Sequence, residues 1–136
     1  MKQVDRTLFR YVKNDIELQS TRWDVSEQAS IVMRVNRVVQ ANADEGIFDA
    51  NTLASHMGMS LRSLQRQLQN AGITAAQLLE DECQVRARHL LRHTNQSVKE
   101  IARSLGYSDD RAFRRAFQRW TGQSPTAYRR KSDQKK

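Results

Sequence analysis

The chain has 136 residues, of which 38% are hydrophobic and 28% charged, with a formal net charge of +8. One proline and five glycines in a chain long enough for one compact domain, or two small subdomains, favour helices joined by short turns over strands joined by hairpins. No apolar run approaches the roughly 18 residues of a membrane span and no signal-like apolar stretch opens the chain, so the expectations are a cytoplasmic location and no membrane partner.

Residues 1–25 read as an N-terminal arm or linker. The piece TLFRYVKNDIEL has apolar residues without a decisive period, compatible with a short extra helix, a partner-binding arm or a linker. Asp24-Val25-Ser26-Glu27 resembles a helix start, and Ile31, Val32, Val35, Val38 and Val39 then share one side of a helix over about 26–43. Asp49 is a good N-cap for the next short helix.

From there the text repeats. Gly58 and Gly106 lie 48 residues apart and Gly72 and Gly122 lie 50 apart. TLASHMGMS (52–60) aligns with EIARSLGYS (100–108), and, one inserted residue later, LQRQL (64–68) aligns with FRRAF (113–117). The punctuation repeats as well. Asp49 and Ser97 are cap residues at matching positions, Ser97 with Glu100 spells a capping box, and Ser60 and Ser108 each follow a glycine where a second helix must begin. Thr74 with Gln77 spells another box, and Ser124-Pro125 puts a cap before a proline suited to the first helical position. A duplicated unit of helix, glycine turn and helix is the helix-turn-helix plan, although an αα-hairpin with no nucleic-acid role has the same outline.

The second helix of each unit carries the chemistry. In the helix over about 60–70, Leu61, Leu64, Leu68 and Ala71 form the inward stripe, leaving Arg62, Gln65, Arg66 and Gln69 outward. Arginine suits guanine and glutamine suits adenine in a major groove. In the helix over about 109–120, Ala112, Phe113, Ala116, Phe117 and Trp120 point inward, leaving Arg111, Arg114, Arg115 and Arg119 outward, with Asp110 at the N-terminal end. Asp110 suits either a bond from cytosine or the helix dipole, with the dipole favoured. Arg66 and Arg115, one residue from the core stripe, suit a base, a phosphate or an interhelical carboxylate. Ser60, Ser63, Ser108, Arg119, Arg92 and Lys99 are candidate phosphate contacts.

Residues 74–93, about 20 residues and hence about 30 Å if wholly helical, form a linker helix. Such a spacer suits two recognition helices in successive major grooves, about 34 Å apart. Cys83, the sole cysteine, lies on its apolar stripe and reads as a small buried hydrophobe, so no internal disulfide is possible. His89 and His93 share a face of the same helix, but no carboxylate motif accompanies them, and they read as surface histidines and not metal ligands. Neither a glycine-rich phosphate loop nor a nucleophile motif occurs, so no enzyme activity, cofactor or metal is expected.

Charge follows the same division. Residues 84–136 hold 14 Lys/Arg against 4 Asp/Glu, whereas residues 1–83 hold 9 against 11. Such concentration implies a polyanionic partner, and the predominance of arginine suits bidentate contact with phosphate and guanine. The competing class is a helical module that binds RNA or acidic proteins. The tail from 132 to 136 is expected to be disordered.

The stretch SVKEIARSLGYSDDRAFRRAFQRWTGQSPTAYRR (97–130) resembles the signature of the AraC/XylS family of bacterial transcription regulators, and the likeness extends over about 26–131. It implies an all-α fold of about seven helices, with helix-turn-helix subdomains at 26–73 and 94–131 joined by the 74–93 helix. It also implies duplex DNA at a promoter as partner, and RNA polymerase contacted by an activator. The family's base-reading positions fall on Arg62, Gln65, Arg66 and Gln69, and on Asp110, Arg111, Arg114 and Arg115. Many relatives carry a separate effector-binding and dimerisation domain. The expectation is therefore either a short stand-alone regulator or an excised domain, with any homodimer formed through the N-terminal region or a missing domain. Relatives that join such a domain to a cysteine-dependent methyl acceptor are disfavoured by the position of Cys83 in a core stripe.

Overall fold

In the computed structural model, residues 22–134 are described, with side-chain surroundings from residue 29 to 133. They form seven helices and no strand: α1 (Arg22–Asp44), α2 (Ala50–His56), α3 (Leu61–Asn70), α4 (Ala75–His93), α5 (Val98–Ser104), α6 (Asp110–Thr121) and α7 (Pro125–Gln134). The chain divides into two compact units inside α4, between Glu82 and Cys83. No described helix is long and apolar enough to cross a membrane.

Short polar side chains start these helices by taking up backbone N–H groups that the first turn leaves without partners. Asp49 accepts from the Thr52 N–H at 2.9 Å, Ser60 from Ser63 at 3.1 Å and Ser124 from Ala127 at 3.1 Å. Ser97 and Glu100 exchange bonds of 3.0 and 2.9 Å as a reciprocal box, and Thr74 and Gln77 exchange bonds of 3.1 and 2.8 Å. The bonds from Ser97 hold the Glu100 carboxyl below its ordinary range, and those from Thr52 do the same for Asp49.

The ends are built as uniformly as the starts. After α2, the Gly58 N–H reaches the Ser55 carbonyl at 3.0 Å and the Met59 N–H reaches Ala54 at 3.1 Å. After α5, Gly106 bonds Arg103 at 3.1 Å and Tyr107 bonds Ala102 at 3.0 Å. This paired closure requires a residue with positive φ, supplied by Gly58 at 72° and Gly106 at 89°. A Cβ added at Gly58 meets nothing within 4 Å, so the cost there is purely conformational. Gly58→Ala is expected to destabilise the first unit by about 1–2 kcal/mol, read from the urea midpoint, with the shape of the fold unchanged.

In the first unit, α1 packs against both α2 and α3, and α2 packs against α3. Ile31, Val32, Val35 and Val39 of α1 meet Leu53, Ala54, Leu64, Leu68 and Ile73, and the first turns of α4 add Ala75 and Leu78. In the second unit, α6 packs against α5 and α7. Its buried set comprises Cys83, Ala87 and Leu91 of α4, Ile101, Ala102 and Leu105, then Phe113, Ala116, Phe117 and Tyr128. Cys83 is enclosed as expected, and its thiol faces the Leu105 carbonyl at 3.7 Å.

Four details depart from the sequence expectations. Helix α1 begins at Arg22, four residues earlier than the Ser26 start; most of the proposed arm, residues 1–21, lies outside the described residues. Helix α6 is capped by Asp109, which accepts from the Ala112 N–H at 2.9 Å, and not by Ser108. Starting one residue later keeps Phe113 and Phe117 in the core across the inserted residue. Helix α7 runs through Gln134, into the tail expected to be disordered, because extending an existing helix orders one residue per added bond and no breaker intervenes. Trp120 and Ala112 are half-buried rather than enclosed, although the indole N–H of Trp120 is itself buried.

Arg129 makes a connection that no local pattern announces. Its guanidinium donates to the carbonyls of Leu91 at 3.0 Å, Thr94 at 3.2 Å and Leu90 at 3.4 Å. These carbonyls end α4, where the helix has run out of its own donors and where its dipole favours a cation. Arg129→Ala is expected to cost about 1.5–3 kcal/mol, the range for hydrogen bonds to a charged group. Arg129→Lys should recover only part of this, since one ammonium cannot span three carbonyls as a planar fork does. Thermal unfolding of the two variants checks both statements.

Candidate nucleic-acid interface

The inward stripe of α3 fixes which residues face away from the core. Leu64 and Leu68 are fully buried and Leu61 is half-buried, while Arg62, Gln65, Arg66 and Gln69 are all exposed. Positions i, i+3, i+4 and i+7 lie on one helix face, so these four form a single polar strip. Within it the Arg66 guanidinium donates to the Ser63 hydroxyl at 3.3 Å. Ser60, also exposed, accepts at its Oγ from the Ser63 backbone and keeps its O–H proton for a further acceptor such as a phosphate oxygen.

Helix α6 repeats this design with different side chains. Phe113 and Phe117 are fully buried and Ala116 nearly so, while Arg111, Arg114, Arg115 and Arg119 are exposed. Arg114 pairs with Asp110 at 3.2 Å along the helix, and this bond holds the Asp110 carboxyl below its ordinary range. Asp110 is thus the first residue of α6, in the favourable position for the dipole, and is also tied to a neighbouring arginine. The tie is an exposed ion pair one turn apart, which is weak beside a bidentate base contact, so it does not remove Arg114 from use.

Aligning the two strips through the repeat exposes an omission. Arg62, Gln65, Arg66 and Gln69 correspond to Arg111, Arg114, Arg115 and Gln118. Gln118 is exposed and completes the i, i+3, i+4, i+7 face of α6, but the sequence reading passed over it. The available signal was the register of LQRQL on FRRAF, which carries Gln69 onto Gln118.

The other candidates lie outside these strips. Ser108 is exposed in the turn ahead of α6, and Lys99 is exposed on α5. Arg92 is exposed near the end of α4, with its guanidinium carbon 5.1 Å from the centre of the Tyr128 ring. His89 and His93 are both exposed, with ring centres 4.8 Å apart. Among the described residues, no three metal-ligating side chains come together.

Residues 53–131 match the family model described as a helix-turn-helix domain, a span that contains both strips. The chain belongs to the AraC/XylS family of transcription regulators. It is 37% identical over 102 residues to the ornithine utilization regulator of Pseudomonas aeruginosa, covering 75% of this chain and 30% of that one. It is 43% identical over 82 residues to the transcriptional activator RhaS of Escherichia fergusonii, covering 60% and 30%. The chain thus spans about a third of the length of these curated AraC-family relatives. Among solved structures, it is similar to the DNA-binding domain of AdpA, a global transcriptional factor crystallised with a target DNA, with a TM-score of 0.64 and 30% identity over 75% of this chain and 95% of that domain. The C-terminal domain of AraT, a response regulator from Geobacillus stearothermophilus, gives a TM-score of 0.66 and 30% identity over 74% of this chain and 84% of that one. The seven-helix AraC-type fold is therefore shared, and the family is one of regulators and not enzymes.

Proposed function

We propose that the chain reads double-stranded promoter DNA, with α3 and α6 entering successive major grooves, and that it activates transcription by contacting RNA polymerase. The observation that carries this reading is the matched polar strip on the second helix of each unit, four exposed long side chains with donor chemistry over a buried apolar stripe. Base reading is assigned to Arg62, Gln65, Arg66 and Gln69 in the first unit and to Arg111, Arg114 and Arg115 in the second. Gln118 joins them by register, and Asp110 acts by orienting Arg114. Ser60, Ser63, Ser108, Arg92, Lys99 and Arg119 contact phosphates. Activation is supported by similarity to RhaS, named as a transcriptional activator. A role on promoter DNA would put its site of action in the cytoplasm, at the nucleoid. Any effector response or homodimerisation belongs to residues 1–21 or to a further domain of the kind that lengthens the relatives.

Selection of bound fragments from sheared genomic DNA tests the reading. The expected result is an asymmetric site with two short specified blocks about ten base pairs apart. Retention of RNA as strongly as duplex, or an unenriched set of fragments, overturns it.

A further inference from the structure

Tyr128 is 6% exposed, although it sits on the last helix of a small unit. One edge of its ring packs against Phe117, with centroids 5.2 Å apart at a steep angle. Two guanidiniums also lie close to the ring: Arg92 at 5.1 Å and Arg88 at 5.9 Å from its centroid. They are four residues apart on α4 and therefore project from one helix face. An arginine set on an aromatic ring gives up little hydrogen bonding, because its five donors lie in the guanidinium plane. Its remaining rotamer freedom falls, which lowers the entropic cost of meeting an anion. Arg92 is exposed and Arg88 half-buried, so donors remain open to solvent at the outer one.

The hydroxyl of Tyr128 adds a second observation. It is buried and, among the described residues, has no hydrogen-bond partner. An enclosed hydroxyl without a partner is a cost to folding, so the ring is the useful part of this side chain in the folded protein. The neighbouring Arg129 is committed to the carbonyls at the end of α4, which fixes Tyr128 beneath the arginine pair.

We propose that Tyr128 is a positioning residue that seats Arg88 and Arg92 as a preformed clamp for a DNA backbone phosphate, separate from the base-reading strip of α6. The clamp supplies affinity that does not depend on sequence, whereas the α6 strip supplies preference. This rests on the duplex-binding reading above. The guanidinium pair is the ligand-binding element, and the tyrosine acts only through it.

The test is the salt dependence of binding, measured on the whole chain with one selected duplex and one scrambled duplex. The wild type is measured first: absence of duplex binding overturns the proposed function itself. Given wild-type binding, Arg88→Gln with Arg92→Gln is expected to flatten the slope of log K against log salt by about 0.9, the value for one lost phosphate contact, while the preference for the selected duplex is unchanged. Tyr128→Phe keeps the ring and drops the orphan hydroxyl, and should retain wild-type slope and affinity. Tyr128→Leu should weaken both duplexes alike, by about three- to tenfold at moderate salt, as the freed guanidiniums regain rotamer entropy. An unchanged slope in the double arginine variant overturns the clamp even if Tyr128→Leu fails to fold. A folded Tyr128→Leu that binds like wild type, or a Tyr128→Phe that binds like Tyr128→Leu, overturns the seating role.

Discussion

Phe117→Ala is expected to cost the second unit about 3–5 kcal/mol, the range for truncating a fully buried phenylalanine. The ring has no exposed surface and is the common neighbour of three others, with centroids 5.9 Å from Phe113, 6.2 Å from Trp120 and 5.2 Å from Tyr128. Its removal forfeits edge-to-face contacts with two of them and leaves a cavity that α6 and α7 close only by moving. Small domains hold few kilocalories in reserve, so most of the unit's stability is at stake. Urea unfolding followed by Trp120 fluorescence should show a midpoint shifted far down, together with loss of duplex binding because α6 loses its seat. Phe117→Leu should recover most of the loss, since it restores apolar volume though not the aromatic geometry. A cost below about 1 kcal/mol for the alanine variant would mean that the aromatic cluster is not what holds α6 in place.

The features readable in the sequence are those whose cause is local. A cap lies within three residues of the N–H it serves, so Asp49, Ser60, Thr74, Ser97 and Ser124 could be named from the letters alone. Leu64 and Leu68, or Phe113 and Phe117, declare a buried stripe by a spacing of four. The glycine turns are equally compact, for each closes within five residues. Ser108 and Asp109 mark the limit of such reasoning. Both are competent caps, and the choice is made by which start turns Phe113 and Phe117 toward α5 and α7, a packing requirement no short window contains.

The features missed are those whose partners are distant. Arg129 serves a carbonyl 38 residues away, and from the sequence it is one arginine among a basic run. Arg92 reads in the sequence as a candidate phosphate contact, but its pairing with Arg88 over one ring shows only when α7 brings Tyr128 to them. Gln118 was hidden for another reason: the eye follows charge along α6, whereas the repeat register follows geometry and selects the uncharged residue. Once Gln118 is included, the two strips read Arg-Gln-Arg-Gln and Arg-Arg-Arg-Gln, so the units differ in one central position. From that difference, with the C-terminal excess of basic residues, we expect more unspecific affinity from the second unit and more discrimination per contact from the first.

Arg62→Ala combined with Arg111→Ala is the sharpest test of that division. Each arginine opens its strip, is exposed, and stands at the same repeat position. A bidentate arginine on guanine is worth about 1–3 kcal/mol of discrimination, so each single variant should lose that much at its own base pairs. If the units act independently the costs add, and the double variant should lose about 2–6 kcal/mol, from roughly thirty-fold to more than ten-thousand-fold in affinity for the selected duplex. Binding to a scrambled duplex should fall far less, because only two phosphate-range charges are gone and the Tyr128 clamp is intact. The pattern within the singles decides between the units. Loss confined to one block of the site identifies a reader, whereas an even loss over all sequences makes Arg62 a phosphate contact and leaves reading in the first unit to Gln65 and Gln69. In that case the glutamines alone carry its discrimination, and Gln65→Ala should relax the preference for adenine at one position without altering the salt slope.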